Sequence, residues 1–119
     1  MRHNPARPAA GALIARLADL PDASARAFDF RAGDAIFSLI LARRGDAIFA
    51  YENECPHAGY PLERPDGRVV VQEGRFLVCS AHGASFRVDD GACAGGPCDD
   101  DEGLAPIAIT VAHGEVRMG

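Results

Sequence analysis

The segment NECPHAGYPLE, residues 53–63, places a cysteine two positions before a histidine, among glycine and proline. A second segment, LVCSAHGASF at residues 77–86, again sets a cysteine close to a histidine and a glycine. The spacings Cys-x-His and Cys-x-x-His each put two metal-binding side chains on one tight turn. Each pair also follows an apolar run that is typical of a strand. The four candidate ligands of one metal centre are Cys55, His57, Cys79 and His82.

Two kinds of metal centre use two thiolates and two imidazoles. One is a structural tetrahedral zinc site. The other is a [2Fe–2S] cluster with two cysteines on one iron and two histidines on the other. A cluster needs close approach of the backbone to its sulfides, which glycine permits. Gly59, Gly83 and the segment GACAGGPCD at residues 91–99 supply that glycine, so the pattern favours the cluster.

Composition restricts the class of protein. The chain has 119 residues, of which 48% are hydrophobic, and these values fit one folded domain. The net charge of -5 argues against nucleic acid and anionic membranes as partners. No apolar run approaches the roughly 20 residues of a bilayer span, and Asp19 and Pro21 interrupt the start of the chain, which makes a poor secretory signal. We therefore expect no membrane contact and a cytoplasmic location.

The remaining sequence reads as short apolar runs separated by Gly, Asp and Pro. Period-two alternation, such as Phe28 and Phe30 around Asp29, predicts half-buried strands, and Gly45 suits a hairpin turn. The predicted strands cover residues 12–17, 25–31, 35–43, 47–52, 68–72, 75–79 and 85–89, with a hairpin at 107–118. This pattern indicates an all-β barrel or sandwich. Residues 9–18 are rich in alanine and could alternatively form a short helix.

The motif Cys55-Pro56-His57 followed by Cys79-Ser80-Ala81-His82-Gly83 resembles the Rieske [2Fe–2S] signature. The likeness extends over residues 12–118 and implies a Rieske-type antiparallel β-sandwich with an inserted cluster-binding lobe. It also implies that the two cysteines bind the inner iron and the two histidines the outer iron. The domain division that follows is a loose lead-in at 1–11, a base at 12–51 and 99–118, and a cluster-binding lobe at 52–98.

The sequence departs from the Rieske proteins of respiratory complexes at four positions. Where those proteins have two cysteines that join the ligand loops, this chain has Tyr60 and Ala81. Where they have a serine and a tyrosine that donate to the cluster region, it has Ala84 and Phe86. Fewer hydrogen bonds to sulfur destabilise the reduced cluster, so we expect a potential near the lower end of the Rieske range, about -150 mV. The pattern resembles Rieske ferredoxins and the ferredoxin-like domains of oxygenases.

Cys93 and Cys98 are the other two cysteines of the chain. They could form a local disulfide or a redox-sensing pair. A reducing cytoplasm favours two small thiols packed near the cluster, which is our expectation.

The resemblance implies a ferredoxin that carries one electron through a [2Fe–2S] cluster. Its partners would be a flavin-dependent reductase and a terminal oxygenase or other redox acceptor. With no nucleotide-binding fingerprint in the sequence, we expect an electron-transfer component and not an enzyme. Two alternatives stay open, a Rieske subunit bound permanently to a larger redox enzyme and a zinc-stabilised interaction module.

Overall fold

A computed structural model describes residues 4–55, 61–80, 83–96, 98 and 102–119. Within these ranges the chain forms ten strands and one short 3-10 helix, which confirms the expected all-β class. The strands are β1 (Leu13–Arg16), β2 (Ser24–Ala32), β3 (Ala35–Arg44), β4 (Ala47–Glu52), β5 (Arg68–Gln72), β6 (Phe76–Val78), β7 (Ser85–Arg87), β8 (Cys93–Gly95), β9 (Ile109–Ala112) and β10 (Glu115–Met118). The 3-10 helix, Leu17–Asp19, follows β1 directly.

The strands belong to two antiparallel sheets. One has three strands in the order β1-β10-β9, and the other has seven in the order β4-β3-β2-β5-β6-β7-β8. The segment before β9 joins the sheets, because the Ile107 N–H donates to the Ala50 carbonyl at 2.9 Å. The Glu52 N–H likewise donates to the Ala105 carbonyl at 2.8 Å. These bonds hold the three-stranded sheet against β4.

Strand β3 is buried on both faces, as its continuous apolar sequence predicts. Leu39, Ile40 and Leu41 are each fully buried. Because successive strand residues point to opposite faces, Leu39 and Leu41 contribute to one hydrophobic core and Ile40 to another. Strand β3 is therefore the wall between the two cores.

Each core takes its residues from a different part of the fold. The basal core lies between the two sheets and includes Ile14, Leu20, Leu39, Leu41, Ala50, Ile107, Val116 and Met118. The site core lies beneath the two cysteine-containing segments and includes Ile40, Tyr51, Cys55, Leu62, Leu77, Cys79, Ala84, Phe86 and Val88. The candidate metal ligands Cys55 and Cys79 thus belong to a packed interior.

The N-terminal segment packs against the basal core over its described part, residues 4–11. Ala6 is 6% exposed, and the guanidinium of Arg7 lies 5.1 Å from the ring centre of Phe37. The Gly11 N–H donates to the Met118 carbonyl at 2.8 Å. The described part of this segment, residues 4–11, thus contacts the basal core, and the lead-in of the domain division stays a prediction.

The alanine-rich residues 9–18 form strand β1 in place of the alternative helix, because β1 pairs with β10. The division into a base at 12–51 and 99–118 and a lobe at 52–98 stays a prediction. Strand β2 pairs with β5 through Ala25 and Val69, so the seven-stranded sheet runs without a break between the two proposed parts. Among the described residues, no helix combines the length and the apolar character that a bilayer span requires.

Candidate metal centre

Asn53 closes the first cysteine-containing segment at its base. Strand β4 ends at Glu52, and Asn53 follows with only 8% of its surface exposed. Its Oδ1 accepts a hydrogen bond from the Leu62 N–H at 2.8 Å. Its Nδ2 donates to Ser38 Oγ at 2.9 Å and to the Glu63 carboxylate. One buried amide therefore ties residues on both sides of Cys55 to strand β3.

The second cysteine-containing segment is the turn between β6 and β7. The Cys79 N–H donates to the Ala84 carbonyl at 2.8 Å, and the Gly83 N–H donates to the Cys79 carbonyl at 2.9 Å. Gly83 has a φ of +77°, a conformation that glycine adopts at little cost. Cys79 is 1% exposed at the start of this turn.

Ser80 joins the two segments. Its N–H donates to the Leu62 carbonyl at 3.2 Å, and its Oγ donates to the Glu63 carbonyl at 3.0 Å. Cys55 and Cys79 are both fully buried in the site core on either side of this junction. The fold therefore brings the two predicted cysteine ligands into one interior region.

A third segment packs directly on the second. Strand β8 pairs with β7, and Gly96 follows with a φ of +80°. A Cβ at Gly96 would lie 2.8 Å from the Gly83 carbonyl oxygen and 2.9 Å from the Ala84 Cα. Only glycine fits at this approach, so the segment after β8 lies against the backbone of the cysteine turn.

Cys93 and Cys98 form a disulfide, with their Cα atoms 6.0 Å apart. The expectation of two separate thiols is therefore wrong. That expectation rested on the reducing cytoplasm in which the protein was assumed to lie. The distance between the two Cα atoms instead suits a disulfide. The spacing of five residues around two glycines was the sequence signal that favoured a local disulfide.

Tyr51 supports the segments from below. Its hydroxyl donates to the Val88 carbonyl at 2.7 Å, which links β4 to the residue after β7. Burial raises the pKa of Tyr51 to about 12, with the carboxylates of Asp90 and Asp89 adding to the effect. A Cβ at Gly91 would lie 2.8 Å from the Tyr51 ring, so any larger residue at position 91 would clash with this ring.

Two of the four predicted ligands can be located. Cys55 and Cys79 lie together in the site core, and both are outside the disulfide. His57 and His82 lie outside the described residues, as do Tyr60 and Ala81. The assignment of all four as ligands therefore stays a proposal.

The donors present fit an iron–sulfur cluster. Two cysteine sulfurs come from separate, cross-linked segments, and apolar side chains such as Leu62, Leu77 and Phe86 surround them. Thiolates in such surroundings are costly unless a cation or metal compensates their charge.

Positions 84 and 86 carry no hydroxyl group toward the interior. Ala84 and Phe86 are both fully buried in the site core. Ser85, between them, is in β7, where alternation turns its side chain to the opposite face. The hydroxyl of Ser85 therefore does not take the place of the missing hydroxyl groups at positions 84 and 86.

The fold and the buried pair of cysteines define an all-β domain with two candidate metal-binding thiols in its site core. The family model described as the Rieske [2Fe-2S] domain matches residues 12–111. The chain belongs to this family, and its cofactor is a [2Fe–2S] cluster. The family match decides against the alternative of a structural zinc site.

Solved structures of similar fold include several ferredoxins. The ferredoxin of carbazole 1,9a-dioxygenase from Nocardioides aromaticivorans IC177 is 21% identical, with a TM-score of 0.72, and the match covers 93% of this chain and 98% of that one. The Sphingomonas yanoikuyae B1 ferredoxin is 22% identical, with a TM-score of 0.67, and the match covers 91% and 96% of the two chains.

A third structure is a complex of reduced oxygenase and oxidized ferredoxin in carbazole 1,9a-dioxygenase. Its matching chain is 25% identical, with a TM-score of 0.71 and 90% of each chain covered. The comparison with curated proteins gives no match. These structures are relatives in fold, and they agree with the assignment of the chain as a Rieske electron carrier.

Sequence reasoning missed Asn53 and Ser80. Neither residue is a ligand, yet their hydrogen bonds hold the two cysteine segments together. The sequence signal that could have indicated the role of Asn53 was its position directly after a predicted strand and two residues before the candidate ligand Cys55.

Proposed function

We propose that this chain is a Rieske-type ferredoxin that carries single electrons between a flavin-dependent reductase and an oxygenase or similar acceptor. The [2Fe–2S] cluster supplies the one-electron chemistry. We assign Cys55 and Cys79 to one iron and His57 and His82 to the other, by the family signature. The protein would act as an electron-transfer component and have no substrate of its own.

The observation that carries this proposal is the pair of buried cysteines on segments that Ser80 cross-links. Such an arrangement holds two sulfur ligands at fixed separation and excludes water from them. Little reorganisation on electron uptake is what a carrier requires. The match to nearly whole ferredoxins, 98% and 96% of their chains, supports the role of a carrier.

The oxygenase as an acceptor is supported by a similar structure in which a ferredoxin is in complex with its oxygenase. The flavin-dependent reductase follows from the one-electron chemistry, since a flavin can pass the two electrons of a hydride one at a time. The buried, hydroxyl-free positions Ala84 and Phe86 support a midpoint potential of about -150 mV.

Optical absorbance and electron paramagnetic resonance of anaerobically purified protein test the cofactor. We expect a brown-red protein with a rhombic signal after dithionite reduction. Electron transfer is then measured with a flavin-dependent ferredoxin reductase, NADH and cytochrome c, where the rate should rise in proportion to the ferredoxin concentration. A colourless, signal-free protein with stoichiometric zinc, or a cluster that the reductase never reduces, would contradict the proposal.

A bound subunit of a larger redox enzyme is the alternative within the same class. It predicts that the chain, isolated from its native cell, elutes with a larger partner at high salt. A carrier should elute alone, since transient redox complexes have small interfaces.

A further inference from the structure

An open cavity of about 520 Å³ lies beside the disulfide. Cys93, at the start of β8, contributes to its lining and is half-buried, whereas Cys98 is only 9% exposed. A reagent in solution therefore reaches Cys93 first. The residues that line the cavity are Arg44, Arg75, Phe76, Arg87, Asp89, Cys93 and Ala94.

The cavity is cationic although the chain as a whole is acidic. The guanidinium of Arg87 lies 3.4 Å from Asp89 and 3.6 Å from Asp90, so its charge is compensated. Arg44 and Arg75 are exposed and form no ion pair within the residues that the structure describes. Arg87 first, and Arg44 to a smaller extent, lower the pKa of Asp89. The lining therefore holds three guanidinium groups against one carboxylate, and this excess of positive charge attracts an anion to the opening next to Cys93.

The surroundings of the two sulfurs also suit the reduced state. Cys98 Sγ lies 3.3 Å from the Gly95 carbonyl oxygen, and Cys93 Sγ lies 3.2 Å from the Cys98 carbonyl oxygen. Each oxygen can accept a hydrogen bond from an S–H group once the bridge is open. A bridge that spans five residues also gains little from chain entropy, so opening it costs less than opening a long loop.

We propose that the Cys93–Cys98 disulfide is a thiol-exchange site for a small anionic thiol of the glutathione class. The thiolate attacks Cys93 Sγ, a mixed disulfide forms there, and Cys98 leaves as a thiolate that takes a proton. A second thiol attacks the mixed disulfide and releases the oxidised small disulfide, which leaves both cysteines as thiols. Arg44 and Arg75 bind the carboxylates of the incoming thiol.

Exchange at this site acts on the cysteine turn. Gly96 lies between the two half-cystines and against Gly83 and Ala84, so the disulfide closes the segment that covers this turn. Opening the bridge removes this covalent constraint on the position of Gly96 against the turn. The proposal does not depend on which residues bind the cluster.

Peptide mass spectrometry after alkylation tests the attacked sulfur. The anaerobic holoprotein carrying Cys98→Ser keeps Cys93 as the one remaining thiol of this pair, and oxidised glutathione should then form a mixed disulfide at Cys93. The Cys93→Ser protein should react roughly tenfold more slowly at the buried Cys98. Equal rates in the two variants, or no adduct at Cys93 in protein that is folded by circular dichroism, would overturn the proposal.

The arginines are tested with the disulfide intact. We expect the double variant Arg44→Ala/Arg75→Ala to slow reduction by glutathione roughly fivefold at low salt. Reduction by neutral 2-mercaptoethanol should not change. The matched control is Arg26→Ala/Arg31→Ala, which removes two exposed arginines from β2. If the double variant slows reduction equally for glutathione and for 2-mercaptoethanol, anion recognition by Arg44 and Arg75 is refuted. The same holds if the control variant slows reduction by glutathione as much as the double variant does.

Discussion

Replacement of Asn53 by alanine tests whether one buried amide keeps the first cysteine segment closed. The variant removes three side-chain hydrogen bonds, to Leu62, Ser38 and Glu63. We expect local opening of this segment to increase, while strands far from it stay intact. The cluster should then be lost faster, because opening exposes its ligands to solvent.

The magnitude follows from the burial of the groups involved. Leu62 is fully buried, so its N–H would lose the Asn53 acceptor without gaining water, at a cost of about 1–3 kcal/mol. The Ser38 and Glu63 oxygens are half-buried and can be hydrated, so each adds only ~0.5 kcal/mol. The sum of ~2–4 kcal/mol corresponds to a roughly 30- to 800-fold increase in the open fraction.

Two measurements report this opening. Amide hydrogen exchange at Leu62 measures it directly, and bleaching of visible absorbance under an iron chelator measures its effect on the cluster. Asn4→Ala is the matched control, because Asn4 donates to the Ile36 carbonyl at an exposed position. If Asn53→Ala bleaches and exchanges like the wild type or like the Asn4 variant, the assignment of Asn53 as the closing residue is refuted.

Replacement of Asn53 by aspartate keeps the acceptor oxygen of the side chain but removes its N–H donors. The new carboxylate can still accept from the Leu62 N–H, but it faces the Glu63 carboxylate and a Ser38 hydroxyl that already donates to Asp29. We expect faster bleaching at pH 8 and partial recovery at pH 5.5, since protonation of one carboxyl restores a donor. Behaviour independent of pH would show that the amide donors contribute little.

Three further predictions concern the site core. Cys55→Ser and Cys79→Ser should each abolish the visible absorbance and the paramagnetic resonance signal, and a retained signal would reject that residue as a ligand. Ala84→Ser should raise the midpoint potential by ~40–60 mV, because a hydroxyl that donates to sulfur favours the reduced cluster. Protein-film voltammetry measures this potential, and an unchanged value would show that position 84 does not reach the cluster. The raised pKa of Tyr51, about 12 in the folded state against about 10 unfolded, favours the neutral phenol. Its contribution of about 2–3 kcal/mol is therefore complete below pH 10 and lost between pH 10 and 12. Urea unfolding of Tyr51→Phe should lack this alkaline loss, and an unchanged pH profile would contradict the assignment.

Most of the fold could be predicted because its strands have strong local patterns. The apolar run in β3 and the alternation of Phe28 and Phe30 in β2 depend only on which face is buried. Strand β8 was missed because Cys93–Gly95 has no such pattern. Its pairing with β7 depends on the close approach of Gly96 to a distant turn, which no local signal shows.

The candidate site likewise has parts that the sequence predicts and parts that it does not. The residue types and spacings predicted Cys55 and Cys79 as ligands, since metal chemistry restricts the residues that can serve, and the structure places both in the site core. The Cys93–Cys98 bridge was missed because the choice rested on the assumed compartment and not on the geometry of the chain. Asn53 could not be assigned from sequence, because an asparagine after a strand is typical of any turn, and its partners lie far along the chain.

Strand β3 has a consequence for how this chain can vary over evolution. Its odd and even positions supply different hydrophobic cores, with Leu39 and Leu41 in the basal core and Ile40 in the site core. Insertion of one residue would exchange the two sets and damage both cores at once. Conservative replacements of single side chains should be accepted, while changes of length should be confined to turns such as the one at Gly45. The length of β3 is thus expected to be among the most constant properties of any lineage that keeps the centre.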